Sequence, residues 1–350
     1  WKYILGVYYY FRGTYSYRQD GSLQLQENDN YAAFGNLTYP IADRIRLTVG
    51  GRYTKDEEYM KDYMPTPRPG QNPLQIGEYD SSHFDYKVGM EYDVLENSML
   101  WADFSTGYKH VLRSAQSQSL NTYQLGSKNR FLENKLQLNA TAFYNDYSNY
   151  SVMTMQPYWT YDEEGILTEY QDMGRGLGRA YTAGLDLSLN YLLTAKDRLD
   201  LQASFLKTEI QDLTIYYDYW YPPSDEYNGL ELNNSPKLTA TFGYQHTFDL
   251  WNDGYLRAKF STRYQTETQL TFFLMDNQVP AGMDKGKLNH QPAHTISEFS
   301  LNYSDPSDRW SLNGYVKNIE NHARKFGYDG MMGMQIGNPR TYGVVLSVNL

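Results

Sequence analysis

The feature that most restricts the fold is an alternation of apolar and polar side chains with a period of two residues. It runs through Ile45–Tyr53, Leu136–Tyr144, Tyr181–Tyr191 and Tyr342–Leu350. Strict alternation predicts strands that have one apolar and one polar face. The alternating segments are roughly 9 to 13 residues long, which suits a tilted strand that crosses a bilayer and exceeds the usual soluble strand of about 5 or 6.

The connections between these segments alternate between short and long. The short ones contain Asn, Asp, Gly, Ser and Pro, which favour turns, and they lie at 41–43, 95–98, 133–134, 195–197, 251–254 and 306–308. The long ones lie near 12–28, 61–81, 111–121, 155–178, 213–234, 271–293 and 320–340. About 14 strands are predicted, and an even number is a legitimate strand count for a bacterial barrel. They begin near Trp1, Asp29, Arg44, Ser82, Met99, Thr122, Lys135, Arg179, Arg198, Pro236, Tyr255, Thr295, Trp310 and Thr341.

Short turns at one end and long loops at the other predict an all-β fold: a transmembrane antiparallel β-barrel with short periplasmic turns and long extracellular loops. A secreted β-sandwich, the other possibility, would have shorter strands and no such asymmetry. A helical membrane protein is excluded because the longest apolar run, Tyr3–Phe11, is about half of the ~18 residues that a spanning helix needs. The apolar face, expected to contact lipid, includes Leu136, Leu138, Leu185, Leu187, Leu346 and Val348.

The amino-acid composition argues against several classes of functional site and partner. There is no cysteine, so thiolate metal sites and cysteine nucleophiles are excluded. The net charge is −10, which argues against a nucleic-acid partner, because phosphate needs a basic face. The 36 tyrosines suit strands and membrane–water interfaces, where an apolar ring and a wet hydroxyl are both accommodated.

An ordered series of short motifs resembles one family. At Asn30–Tyr39 and Arg44–Thr54 the chain resembles the barrel of a TonB-dependent outer-membrane receptor. The likeness continues at Tyr86–Tyr92, Phe104–Lys109, Tyr123–Lys128, Leu136–Tyr144, Tyr181–Asp186, Val316–Ile319 and Pro339–Val344. The resemblance implies a 22-stranded barrel with a plugged lumen. Residues 1–350 would then be the C-terminal portion, about 14 strands, without the N-terminal plug domain that engages TonB and without the first strands.

The function that the resemblance implies is energised, TonB-dependent uptake across the outer membrane of a Gram-negative bacterium. The expected ligand is a ferric siderophore, with haem, vitamin or carbohydrate uptake as other possibilities. The expected partners are outer-membrane lipid, the iron chelate, and TonB only through the missing plug; no cofactor is expected. The alternative is a self-contained passive channel of about 14 strands, since that number is also legitimate for a complete barrel.

Two groups of residues are candidate ligand contacts. Loop aromatics offer a large contact area at low entropic cost, although Trp and Tyr also form the interfacial girdle of such barrels; they are Trp159, Tyr161, Tyr217, Trp220 and Tyr221. Basic side chains on the polar phase of their strands could attract an anionic ferric chelate or be neutralised by carboxylates of the plug or of neighbouring strands; they are Arg46, Arg52, Lys259 and Arg263.

The sequence contains none of the catalytic motifs that were considered. The chain has no Gly-x-Ser-x-Gly elbow and no His-Glu-x-x-His pair, so we expect neither an enzyme nor a metal site. His290 and His294 are four residues apart, but Pro292 between them prevents a regular helix that would place both on one face. The glycine-rich run Gly174–Gly178 precedes a strand and is interpreted as a loop end.

Overall fold

The computed structural model describes residues 1–17, 21–65, 74–110, 117–161, 167–217, 222–271, 289–307, 309–329 and 333–349. Of residues 153–161, 167–173, 328, 329 and 333 it describes the backbone alone. Every regular element in these ranges is a strand. None of the described residues forms a helix of the length and hydropathy that a membrane crossing requires.

Eighteen strands follow one another along the chain. They are β1 (Lys2–Tyr17), β2 (Leu23–Ala42), β3 (Ile45–Tyr63), β4 (Leu74–Leu95), β5 (Ser98–Lys109), β6 (Gln118–Phe131), β7 (Leu136–Tyr161), β8 (Leu167–Leu192), β9 (Asp197–Tyr217), β10 (Leu238–Asp249), β11 (Tyr255–Gln265), β12 (Thr268–Gln269), β13 (His290–Gln291), β14 (His294–Ser304), β15 (Trp310–Lys317), β16 (Lys325–Asp329), β17 (Gly333–Ile336) and β18 (Thr341–Val348).

Fourteen of these strands form one sheet in which neighbours in sequence are neighbours in space. The order runs from β1 to β11 and then through β14, β15 and β18, while β12–β13 and β16–β17 are two small separate hairpins. Pairing is antiparallel, as between β2 and β3, where Leu23 lies opposite Tyr63 and Phe34 opposite Arg52. The predicted all-β, antiparallel fold of about 14 strands is confirmed.

The short connections are turns, as the sequence indicates. Only two residues separate β2 from β3 and only two separate β4 from β5. Between β6 and β7, Leu132, Glu133 and Asn134 all adopt positive φ. Between β8 and β9, the hydroxyl of Thr194 accepts hydrogen bonds from the backbone N–H groups of Lys196 and Asp197. Side-chain hydrogen bonding to nearby backbone is the reason that such residues favour turns.

The strands are longer than the alternation predicts. β7 and β8 each have 26 residues, so much of the predicted long spacer at 155–178 is strand. The spacer at 61–81 is similarly shortened by β3 and β4. Backbone pairing does not depend on which side chains are apolar, so a strand continues where both of its faces are polar. The alternation therefore reports only the part of each strand that has an apolar side.

The glycine-rich run lies within β8, so its interpretation as a loop end is wrong. A Cβ at Gly176 would lie 2.4 Å from the carbonyl oxygen of Thr214, and one at Gly178 would lie 2.7 Å from the Cα of Leu213. The register with β9 shifts between Leu177 and Arg179. The glycines thus permit close approach of two paired strands at a bulge, a common reason for glycine inside a strand.

The apolar side chains share one face across the register. Leu187 lies opposite Ala203 and Leu185 opposite Phe205, and Leu346 lies opposite Leu312. Leu138, Leu185, Leu346 and Val348 are exposed, and Leu136 and Leu187 are half-buried. The predicted strand phase is therefore observed for this face.

Leu187 lies near the middle of the part of β8 that shows the alternation, which gives a test of the lipid face. Leu187→Arg should lower the free energy of unfolding in lipid vesicles by about 2–4 kcal/mol, the cost of a cation near the bilayer midplane. The matched control is Ser188→Arg, because Ser188 points to the polar face beside Gln202. Equal losses from both variants would contradict the assignment of the faces.

The chain forms two compact units. Trp1–Val94, Leu100–Leu125 and Asn145–Ser151 make up the first, and Leu95–Met99, Gly126–Tyr144 and Val152–Leu350 the second. In the first unit, the buried side chains include Ala32, Met60 and Glu58.

In the second unit, Ala180, Ile210, Leu213 and Ile215 have no exposed surface. The 224–232 segment packs here: the side-chain amide of Asn228 bonds to both the backbone N–H and the carbonyl of Leu213. The backbone N–H of Ile210 donates to the carbonyl of Leu230, which pins the segment to β9.

Candidate functional site

Arg52 lies among aromatic rings on the polar face of the first unit. Its guanidinium carbon is 5.4 Å from the ring centroid of Tyr8 and 5.9 Å from that of Phe34, within the range of cation–π attraction. Its Nε donates to the hydroxyl of Thr54 at 3.0 Å. β1, β2 and β3 place these side chains together because Tyr8 pairs with Ala32, and Phe34 pairs with Arg52.

Arg46 is held by carboxylates next to the β2–β3 turn. Its Nε donates to Glu91 at 2.7 Å, and its two terminal nitrogens donate to the two oxygens of Asp93 at 2.5 and 2.7 Å. The bidentate geometry is that of a strong guanidinium–carboxylate pair. The carboxylate interpretation of the basic residues therefore applies to Arg46.

A buried polar network links β2 to β5 in the first unit. Glu58 has a fully buried side chain, and one of its oxygens lies 3.1 Å from Nε2 of His110, whose side chain is 9% exposed. The other oxygen accepts from Gln26 at 3.0 Å. Nδ1 of His110 lies 3.3 Å from the hydroxyl of Ser81, which also bonds to the hydroxyl of Tyr108. This network rigidifies the strands beyond the alternating part of the sheet.

Arg263 lines two grooves on the polar face of the second unit. It lies on β11, opposite Thr241 of β10 and Ile296 of β14. The first groove has a volume of about 380 Å³ and is lined mainly by polar residues from β7 to β11, among them Thr141, Gln202 and Thr241, together with Leu187 and Ala203. Lys259 lies on the same strand face, opposite Gln245 and Ser300.

The second groove, of about 280 Å³, brings Arg263 together with side chains that the sequence did not connect with it. It is lined also by His294, Glu298 and Arg324. The ring of His294 stacks on that of His322, with centroids 5.3 Å apart and planes at 7°. Arg263, His294, His322 and Arg324 are called the basic cluster below.

The 318–326 segment positions half of the basic cluster. Asn318 is buried with φ of 53°, and its side-chain amide donates to the carbonyls of His322 and Asn338 and accepts from the backbone N–H of His322. The backbone N–H of Lys325 donates to the side chain of Gln291. These bonds fix the segment to β13 and to the stretch that precedes β18.

The pKa values in this segment follow from burial and neighbouring charge. Burial and the charge of Arg263 together hold the pKa of Arg324 below its ordinary value. Burial opposes the charge of Glu320, but hydrogen bonds from Ser297 outweigh it and lower the pKa of that carboxyl. Glu320 thus anchors the segment as a carboxylate, while the two guanidiniums repel each other.

A comparison with protein families decides the identity. The family model described as "TonB dependent receptor-like, beta-barrel" matches residues 1–319. The chain belongs to the TonB-dependent receptor family.

Solved structures of TonB-dependent receptors share the fold. The ferric yersiniabactin uptake receptor FyuA from Yersinia pestis superposes with a TM-score of 0.69 at 15% identity, over 93% of this chain and 46% of FyuA. The siderophore receptor PiuA from Acinetobacter baumannii gives 0.67 at 16%, over 93% and 43%. The ferric-catecholate import receptor Fiu from E. coli gives 0.65 at 15%, over 94% and 45%. The chain therefore spans a little under half the length of these receptors.

For most of the predicted aromatic contacts of this chain the structure does not describe the side chain. Tyr217 is the last residue of β9, half-buried and opposite Gly174 of β8. Trp159 and Tyr161 belong to β7, of which only the backbone is described there. Trp220 and Tyr221 lie outside the described residues. The structure thus places the backbone of three of the five.

His290 and His294 of this chain contact different partners. His290 bonds to Glu267 at 3.3 Å, whereas His294 stacks on His322. Within the described ranges, no group of three or more His, Asp or Glu side chains has the arrangement of a metal site.

Proposed function

We propose that the chain is the C-terminal part of the barrel of an outer-membrane receptor that imports a ferric siderophore with energy transmitted by TonB. The observation that carries the proposal is the family match over residues 1–319. FyuA, PiuA and Fiu are described as receptors for siderophores or ferric chelates. A passive channel of about 14 strands is the alternative, and the family membership favours the receptor.

The proposal includes a plug and further strands N-terminal to residue 1. The chain covers 46% of FyuA and 43% of PiuA, so more than half of each relative lies outside the matched part. We propose that the missing part contains the plug, and that TonB engages the plug rather than these strands. The outer-membrane lipid would cover the apolar face that carries Leu185 and Leu346.

Ligand contacts are proposed for part of the predicted set. Arg52 and Arg263 have no ion pair with any described residue, so their charges are available to an anionic chelate. Arg46 is not carried forward, because Glu91 and Asp93 already neutralise it. The aromatic residues Trp159, Tyr161, Tyr217, Trp220 and Tyr221 remain proposed contacts.

Uptake of radiolabelled iron tests the function. Cells that lack the endogenous receptors and express the full-length receptor should accumulate iron from its cognate siderophore, and inactivation of TonB should abolish the accumulation. A passive channel would be unaffected by TonB. Absence of uptake from every ferric chelate tested, with the receptor present in the membrane, would contradict the iron ligand.

A further inference from the structure

The basic cluster concentrates positive charge in one groove of the second unit. Arg263 and Arg324 both line the groove, and burial together with their mutual repulsion lowers the pKa of Arg324. Arg324 also lies over the ring of Phe326, 3.9 Å from its centroid, which orients the guanidinium. Two guanidiniums that repel each other are held together by the fold.

The charge of the cluster is not neutralised within the described part of the chain. Glu298 lines the groove, yet it is beyond ion-pair distance of both guanidiniums, and neither Arg263 nor Arg324 has an ion pair among the described residues. Nε2 of His322 is buried and has no hydrogen-bond partner there. Buried polar groups are normally satisfied, so the buried Nε2 of His322 points to a partner, while the exposed side chain of Arg263 and the half-buried side chain of Arg324 are open to an anion.

The cluster is built before any partner arrives. The Asn318 bonds fix His322, and the backbone N–H of Gly337 donates to the carbonyl of Arg324 at 2.7 Å. The backbone N–H of Ile319 donates to the carbonyl of Ser297 on β14. A cationic site that needs no rearrangement loses little entropy when it binds an anion.

The groove suits a carboxylate in size and in the type of donor that lines it. A volume of about 280 Å³ is at the lower limit of ordinary ligand pockets, so the groove would hold one arm of a chelate. Guanidinium groups bind planar oxyanions by paired N–H donors. Ile296 adds an apolar contact on one side of the groove.

We propose that Arg263, Arg324 and the His294–His322 pair bind a carboxylate group of the imported ligand. The inference rests on the proposed uptake function, which it deepens by naming the chemical class of the ligand. Each arginine should contribute at least about tenfold to the affinity for a carboxylate, as charge-assisted bidentate bonds do.

Calorimetric titration of the purified full-length receptor with citrate, and with phosphate and sulfate as comparison anions, tests the site. Citrate should bind to the wild type, and Arg263→Gln and Arg324→Gln should each weaken its binding at least about tenfold. Lys237→Gln is the matched control, since it removes one positive charge from an exposed side chain paired with Glu231. Equal citrate affinity in all four proteins, or preference for sulfate or phosphate over citrate, would overturn the proposal.

Three further outcomes separate this inference from the proposed function. If the wild type binds none of the three anions and the arginine variants lower its thermal stability, a carboxylate of the same protein occupies the cluster and the inference is wrong. If both variants import the cognate siderophore at the wild-type rate, uptake stands and the ligand site at the cluster does not. If the wild-type receptor shows no TonB-dependent uptake, the proposed function is wrong, and the citrate titration still tests the anion site.

Discussion

Replacing His110 with alanine is expected to lower the free energy of unfolding by about 1–3 kcal/mol, because it removes a hydrogen-bond partner from a buried polar side chain. The Glu58 side chain is fully buried and lies 3.1 Å from His110. Gln26 would remain as a donor to one of its oxygens, while the other would lose its contact with His110. Urea unfolding of the receptor in detergent or lipid vesicles measures the loss.

A double-mutant cycle identifies the cause of this loss. Glu58→Gln replaces the acidic group with an amide, so the double variant Glu58→Gln/His110→Ala should recover part of the stability that His110→Ala loses. His83→Ala is the control: His83 stacks on Tyr108 at 4.7 Å in the same region but is more exposed, and should cost less than about 1 kcal/mol. Additive effects of Glu58→Gln and His110→Ala would show that the two side chains do not act as a pair.

Leu213→Ala should cost about 2–5 kcal/mol, because it opens a cavity at a side chain that has no exposed surface. It should also loosen the 224–232 segment, which packs on this part of β9 through Asn228. Limited proteolysis should then cleave that segment faster than in the wild type, and urea unfolding should report the loss of stability.

The control for this variant lies on the same strand. Leu201→Ala removes the same atoms from a side chain of β9 that is 41% exposed on the apolar face, so it creates no internal cavity. We expect a smaller loss and unchanged proteolysis of the 224–232 segment. Equal proteolysis of the two variants would mean that the core around Leu213 does not hold the segment.

The strand phase and the turns could be predicted from the sequence because each has a local cause. Alternation along Tyr181–Tyr191 places Leu185 and Leu187 on one face, and the register with Phe205 and Ala203 agrees. Strand length could not be predicted in the same way. The 26 residues of β8 include Gly174–Gly178, where close packing against β9 replaces alternation as the determinant.

The residues of the candidate site also differ in whether their position has a local cause in the sequence. Strand parity was sufficient to select Arg52 and Arg263, since the face of a residue depends only on its position within a strand. It could not distinguish them from Arg46, because the pair with Asp93 depends on register between strands. His322 and Arg324 have no periodic signal at all. The Asn318 turn holds His322, which stacks on His294 of β14, and Arg324 follows two residues later and lines the groove.

The long ladder between β2 and β3 restricts how this receptor can change. The two strands stay in register from Leu23 opposite Tyr63 to Pro40 opposite Arg46, although about 11 residues are enough to cross a bilayer. Beyond that length, one inserted residue between Glu57 and Tyr63 would move every later side chain of the strand to the opposite face. New specificity in this region therefore arises from exchanges at alternate positions or from insertions of two residues, which leave the inward and outward sets of side chains where they were.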